Sequence, residues 1–113
     1  MSLNLQSDVS LKAFNSFGVD VRARLFAEAH NDVEVREALR LAEQQGLPLL
    51  VIGGGSNLLL TRDIEALVLR MASRGIRILE DDGERILVEA EAGEPWHPFV
   101  QWSLAQGLNG LEN

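Results

Sequence analysis

The sequence predicts an α+β domain, because one segment has the periodicity of an amphipathic helix and several others have the patterns of strands. Between Asn31 and Gly46, apolar side chains recur at intervals of three and four positions, as on one face of a helix. Residues 19–29 alternate between apolar and charged types, and residues 49–52 form a continuous apolar run. With 113 residues and 46% hydrophobic content, the chain is long enough to form one core.

The N-terminal part is predicted to contain an arm followed by one strand. Residues 1–18 mix polar and apolar types around Phe14 and Phe17 without a regular period, so we expect a tethered arm rather than a regular element. In residues 19–29, Val19, Val21 and Ala23 alternate with charged residues. This alternation is typical of a strand with one apolar face.

The helix has sequence features at both ends. Asn31 is a favourable N-cap, and Glu34 lies three residues later, as in a capping box. Gly46 can adopt the left-handed conformation that often ends a helix. One face of the helix is expected to pack on the core through its apolar residues, which are Val35, Ala38, Leu39 and Ala42.

The second half of the chain is predicted to alternate between short strands and turns before a final helix. Residues 49–52 are expected to form a strand covered on both faces, and residues 66–69 a second buried strand. Residues 76–79 and 86–90 are expected to pair as a hairpin through a turn that contains Gly83. A last helix is predicted from Pro95, a favoured residue of a first helical turn, to Gly107.

Composition excludes several functional classes. The net charge is -7, with 10 basic and 17 acidic residues, and aromatic residues make up only 5%, so a nucleic-acid surface is not expected. There is no cysteine, which excludes disulfides and thiolate metal sites. Because no signal peptide and no membrane-spanning apolar stretch is visible, we expect a cytoplasmic protein without membrane contact.

The segment that indicates a function is the loop after residues 49–52. It contains Gly53, Gly54, Gly55, Ser56 and Asn57. Successive backbone N–H groups in such a loop can converge on an anion, and the Ser and Asn side chains can add hydrogen bonds to phosphate oxygens. A Walker loop is excluded because no lysine follows, and the Rossmann glycine spacing is absent. We expect a phosphate-bearing cofactor; the alternative is a connection between strands that binds no ligand.

No other residue forms a convincing catalytic or metal-ligating set. His97 has no serine, cysteine or second histidine at a useful spacing, so a structural role at a helix end is expected. The acidic residues 80–84 lack the ligand spacing of a calcium loop and are expected to form a solvated turn. Trp96, Phe99 and Trp102 are expected to pack in a core because their spacing is helical, and Glu89 and Glu91 to face solvent.

Four segments carry a family resemblance: residues 15–18 (Asn-Ser-Phe-Gly), 50–59 (the glycine loop), 92–96 (Ala-Gly-Glu-Pro-Trp) and 107–113 (Gly-Leu-Asn-Gly-Leu-Glu-Asn). They resemble the N-terminal part of the UDP-N-acetylenolpyruvoylglucosamine reductase (MurB) family. The glycine loop alone is also found in the wider PCMH-type group of flavoproteins. The narrower resemblance depends on the first and last of the four, and Ser16 stands where the family usually has threonine. The similarity covers essentially the whole chain.

The resemblance implies a PCMH-type FAD-binding fold and a role in peptidoglycan synthesis. Residues 1–72 would form the first FAD-binding subdomain and residues 73–113 the beginning of the second. In this family NADPH reduces FAD, which reduces UDP-N-acetylglucosamine enolpyruvate to UDP-N-acetylmuramate. The cofactor-binding residues implied by position are Gly53, Gly54, Gly55, Ser56, Asn57, Leu58, Gly110 and Asn113.

The resemblance also implies that the chain is an N-terminal fragment without reductase activity. In the family, further flavin-binding and catalytic residues follow the segment that ends here at Asn113, so no catalytic residue is assigned. Apolar surface meant for those parts would favour self-association. Two alternatives remain at this point: a free-standing module that binds a nucleotide or phosphate, and part of another PCMH-type flavin oxidase.

Overall fold

The computed structural model describes residues 3–15, 17–53 and 62–111, and its first part is a four-stranded sheet. The strands are β1 (Leu5–Ser10), β2 (Arg22–Ala29), β3 (Leu49–Ile52) and β4 (Ile64–Met71). They lie in the order β1-β2-β4-β3, with β1 antiparallel to β2, and with β2, β4 and β3 mutually parallel. The carboxyl ends of three strands therefore meet at one edge of the sheet.

Helix α1 (Asp32–Gln45) connects β2 to β3 and begins and ends as predicted. The Asn31 side chain accepts a hydrogen bond from the Glu34 backbone N–H at 3.0 Å. The Glu34 carboxylate in turn accepts from the His30 backbone N–H at 2.8 Å, one residue before the position expected for a capping box. Gly46 has a φ of 65°, the left-handed conformation predicted for it, and the Leu47 N–H returns to the Ala42 carbonyl.

Each face of the sheet is covered by a separate apolar cluster. On one face, Ala38 and Ala42 of α1 pack with Ala27, Leu67 and Leu69. The other face is covered by the segment between β1 and β2, and its cluster comprises Leu11, Val21, Ala23, Phe26, Ile52 and Val68. Because both faces are covered, β4 is buried from Ala66 to Leu69, in agreement with the prediction of a short buried strand there.

The second part of the chain is a hairpin followed by a helix. Strands β5 (Ile76–Asp81) and β6 (Ile86–Ala90) pair antiparallel, and α2 spans Trp96–Ala105 with Pro95 at its N-cap. These elements match the predicted hairpin and final helix. Neither helix in the described part of the chain is long and apolar enough to span a membrane.

Four local predictions are wrong. Residues 5–10 form β1 rather than an arm, because backbone pairing with β2 does not require an apolar period. Strand β3 lies at the sheet edge, so Val51 is 54% exposed instead of covered. Leu39 is half exposed, since the buried stripe of α1 runs through Glu34, Ala38 and Ala42. Trp96 is 59% exposed, and it contacts Phe99 edge-on at 5.8 Å on α2 rather than packing in the core.

Candidate functional site

The carboxyl edge of the parallel strands is the candidate site. Ligands of open α/β sheets characteristically bind outside the carboxyl ends of the strands. Gly53 directly follows β3 at this edge, so the predicted phosphate loop begins there. Gly54, Gly55, Ser56, Asn57, Leu58 and Asn113 lie outside the described residues, and their role in binding stays a prediction. Gly110 is exposed beyond α2, and its role in binding also stays a prediction.

A turn from the second part of the chain lies against Gly53. A Cβ atom built on Gly53 would be 3.7 Å from the carbonyl oxygen of Ala92. The next residue, Gly93, is buried against the segment that follows β4, and its Cβ would lie only 2.4 Å from the Ser73 carbonyl oxygen. Since backbone atoms cannot approach so closely to a side chain, glycine is required at position 93. The backbone of Ala92 and Gly93 thus forms one side of the site at the beginning of the loop, which we call the wall.

Hydrogen bonds join this turn to the segment after β4. The Gly75 N–H donates to the Glu94 carboxylate at 2.8 Å, and the Glu91 N–H donates to the Gly75 carbonyl at 2.9 Å. The Gly93 N–H lies 3.4 Å from the buried Ser73 hydroxyl oxygen. Because several bonds fix the turn, Ala92 has a defined position beside Gly53.

Arg70 lies next to the beginning of the loop, on the neighbouring strand. It is the register partner of Ile52, the residue before Gly53. Its Nη1 donates to Glu28 Oε2 at 2.8 Å, and its guanidinium lies 5.5 Å from the centroid of the Phe14 ring. Nε of Arg70 is buried and has no acceptor among the described residues. Arg70 therefore brings positive charge and an uncommitted donor to this edge.

Asn15, the first residue of the segment 15–18, stabilises the loop between β1 and β2 through its side chain. Its buried amide donates to the carbonyls of Leu11 and Val19, at 2.8 Å and 3.1 Å. Its side-chain oxygen accepts from the Val19 N–H at 3.0 Å. These bonds close the loop that covers one face of the sheet. Phe17 is exposed, and Ser16 lies outside the described residues.

The groups that the sequence excluded from catalysis are engaged in local structure. In the hairpin turn, the backbone N–H groups of Arg85 and Glu84 donate to Asp82, which lowers the pKa of that carboxyl. Arg77 donates to Glu89 and Glu91 on the exposed hairpin, and these carboxylates raise the pKa of its guanidinium. In the described ranges, no group of three or more potential ligands could hold a metal ion.

Sequence reasoning missed three residues of this edge: Arg70, Ser73 and Gly93. Gly93 belongs to residues 92–96, one of the segments that resemble the family. The reason for glycine at this position is its close approach to the Ser73 backbone, which only the structure shows. The sequence shows a charged residue at Arg70, directly after the apolar residues of β4. It does not show that Glu28 and Phe14 lie beside this residue in the fold.

Comparisons with known proteins agree with this architecture. A family model described as an FAD binding domain matches residues 23–113. UDP-N-acetylenolpyruvoylglucosamine reductase from Pseudomonas fluorescens Pf0-1 is 74% identical over 113 residues, which are 100% of this chain and 33% of that protein. The reductase from Pseudomonas aeruginosa PAO1 is 70% identical over the same shares. The chain thus spans about one third of the curated relatives it matches.

A solved structure is similar in fold. The crystal structure of UDP-N-acetylenolpyruvylglucosamine reductase (MurB) from Thermus caldophilus superposes with a TM-score of 0.67 at 24% identity. The match covers 96% of this chain and 36% of that protein. At this identity the likeness concerns the fold, and it agrees with the predicted PCMH-type FAD-binding architecture.

Proposed function

Since the chain belongs to the FAD binding domain family, we propose that it holds the pyrophosphate of FAD at the carboxyl edge of β2, β3 and β4. The observation that supports this most directly is the position of Gly53, which begins the predicted phosphate loop at that edge. Glycine allows a ligand to approach the main chain closely. Backbone N–H groups of residues 54–57 would supply the remaining hydrogen bonds.

The chemistry of the edge suits an anionic cofactor. Arg70 has a buried donor without an acceptor in the described part of the chain, and its guanidinium carries the positive charge that a pyrophosphate requires. The wall formed by Ala92 and Gly93 exposes no side chain larger than a methyl group toward Gly53. A nucleotide could therefore lie close to the backbone at this point.

We further propose that the chain supplies this site to a UDP-N-acetylenolpyruvoylglucosamine reductase. Bound FAD would transfer hydride from NADPH to the enolpyruvyl group of the UDP-sugar, in cytoplasmic peptidoglycan synthesis. Residues 1–72 would be the first FAD-binding subdomain and residues 73–113 the start of the second. The named relatives are about three times longer, and we propose that the 113 residues alone bind cofactor without catalysing the reaction.

Titration of the purified chain with FAD, followed by flavin fluorescence, tests the cofactor proposal. We expect saturable binding that Gly54→Val abolishes, because a β-branched side chain would obstruct the approach to the loop backbone. Glu84→Val in the exposed hairpin turn is the control, because Glu84 is exposed and has no positive φ, and it should leave binding intact. Circular dichroism of both variants establishes that they are folded.

Each outcome has a defined meaning. Absence of FAD binding by the folded wild-type chain would refute the proposal. Equal affinities for FAD and ADP would instead indicate a nucleotide-binding module that does not recognise flavin. Substrate-dependent oxidation of NADPH by the 113-residue chain would contradict the proposal that it is inactive alone.

A further inference from the structure

We propose that Arg70 is a direct ligand of the FAD pyrophosphate, an inference that rests on the function proposed above. Its position in the sheet, the groups that hold its guanidinium and its Nε donor, unpaired among the described residues, support this role.

The position of Arg70 follows from the register of the sheet. Arg70 is paired with Ile52, and neighbouring strands lie about 4.8 Å apart. Paired residues of parallel strands direct their side chains to the same face, which here is the face that contains Phe14, Phe26 and Ile52. Gly53 is the next residue after Ile52. The backbone of Arg70 is therefore one strand away from the residue that precedes the phosphate loop, and its guanidinium pairs with Glu28 on the other neighbouring strand, β2, at the same carboxyl edge.

Two neighbours hold the guanidinium in place. Glu28, the register partner of Arg70 on β2, accepts a hydrogen bond from Nη1 at 2.8 Å. The Phe14 ring lies 5.5 Å from the guanidinium carbon and stacks at 4.9 Å on Phe26, which fixes the orientation of the ring. An arginine fixed in this way loses little side-chain freedom when it binds an anion.

The remaining donors of Arg70 distinguish a binding role from a purely structural one. Guanidinium has five N–H donors, and Nε has no acceptor among the described residues although it is buried. Leaving a buried donor unpaired costs free energy, so such groups call for an explanation beyond packing. The Arg70 guanidinium donates only one of its hydrogen bonds to Glu28. A pyrophosphate could accept hydrogen bonds from two of the remaining N–H groups at once, in a bidentate pair.

Binding affinities of charge variants test this role. We expect Arg70→Met to weaken FAD binding by about tenfold or more, and to flatten the dependence of the dissociation constant on salt, because a cation that contacts phosphate is lost. Arg24→Met is the matched control: Arg24 is an exposed arginine on β2 that pairs with Glu65. Its substitution should change neither quantity.

A substitution of Glu28 gives a prediction of opposite sign. Glu28→Gln keeps a side-chain oxygen that can accept from Nη1 and so preserves the position of the guanidinium, but it removes the negative charge that opposes phosphate binding, so FAD should bind more tightly. If the Arg70–Glu28 pair only stabilises the fold, Glu28→Gln should leave FAD affinity unchanged or weaken it. Arg70→Lys keeps the charge without the planar donor set and should have an intermediate affinity.

These measurements separate the inference from the function on which it rests. The wild-type chain could bind FAD while Arg70→Met has the same dissociation constant and the same salt dependence. That result would refute the role of Arg70 and leave the proposed function standing. Failure of the wild type to bind FAD would refute both. If Arg70→Met does not fold, the opposite shifts expected of Arg70→Lys and Glu28→Gln decide the question.

Discussion

Replacing Gly93 with alanine tests the closest backbone approach in the candidate site. The added Cβ would lie 2.4 Å from the Ser73 carbonyl oxygen, 2.5 Å from the Ser73 nitrogen and 2.7 Å from the Ala72 carbonyl carbon. All three are main-chain atoms, so rotation of a side chain cannot relieve the clash. The turn or the segment after β4 has to move by about 1 Å to restore ordinary contact.

The expected cost follows from this displacement. Overpacking by one methyl group in a tightly packed site costs about 1–3 kcal/mol. Movement of the turn would also lengthen the 3.4 Å contact from the Gly93 N–H to Ser73, a loss of up to about 1 kcal/mol. The sum of about 1–4 kcal/mol would lower the melting temperature of a domain of this size by roughly 4–16 °C.

Thermal unfolding followed by circular dichroism measures the effect, with Gly53→Ala as the control. The Cβ of that variant would lie at an ordinary 3.7 Å from the Ala92 oxygen, and Gly53 does not have a positive φ. Its free energy of unfolding should change by less than about 1 kcal/mol. Equal melting temperatures for Gly93→Ala and the wild type would show that the turn is not packed against Ser73 as described.

Three further substitutions test the local structure. Asn15→Ala removes three side-chain hydrogen bonds from a buried loop and should lower the free energy of unfolding by about 2–3 kcal/mol; a urea midpoint equal to that of the wild type would contradict the role of Asn15. Asn31→Ala removes the N-cap of α1 and should cost about 1 kcal/mol with a loss of helical ellipticity, whereas the exposed control Gln44→Ala should cost nothing measurable. The lowered pKa of Asp82 means that its ionised form stabilises the folded state above the usual value of about 3.9, and that this contribution disappears as the pH falls through the folded value. Asp82→Asn should therefore be less stable than the wild type at neutral pH and equal to it in acid, and urea midpoints measured across this range would refute the argument if the difference did not depend on pH.

Elements with local determinants were predictable from the sequence. Helix α1 has its cap at Asn31 and its left-handed residue at Gly46, and both act within a few residues of the helix. The hairpin of β5 and β6 likewise depends on residues close together in the chain. Position within the sheet was not predictable, because β3 is an edge strand only as a result of the pairing of β4 with β2.

The candidate site was predictable only in part, for the same reason. Gly53 could be placed at the end of a strand because an apolar run precedes it directly. The wall beside it depends on the approach of Gly93 to Ser73, 20 residues apart in the chain. Arg70 acquires its neighbours through pairing with Glu28 and Ile52, and no local pattern specifies such long-range register.

The strand order also has a consequence for the time course of folding. Strand β4 lies between β2 and β3, so those two strands, although earlier in the chain, have no parallel partner until residues 64–71 are available. During synthesis the carboxyl edge therefore cannot exist before β4 has emerged and inserted. Pairing over such sequence separations is slow compared with helix formation. A nascent chain would thus first contain α1 and the β1–β2 pair, and would complete the carboxyl edge only after β4 has paired with β2 and β3.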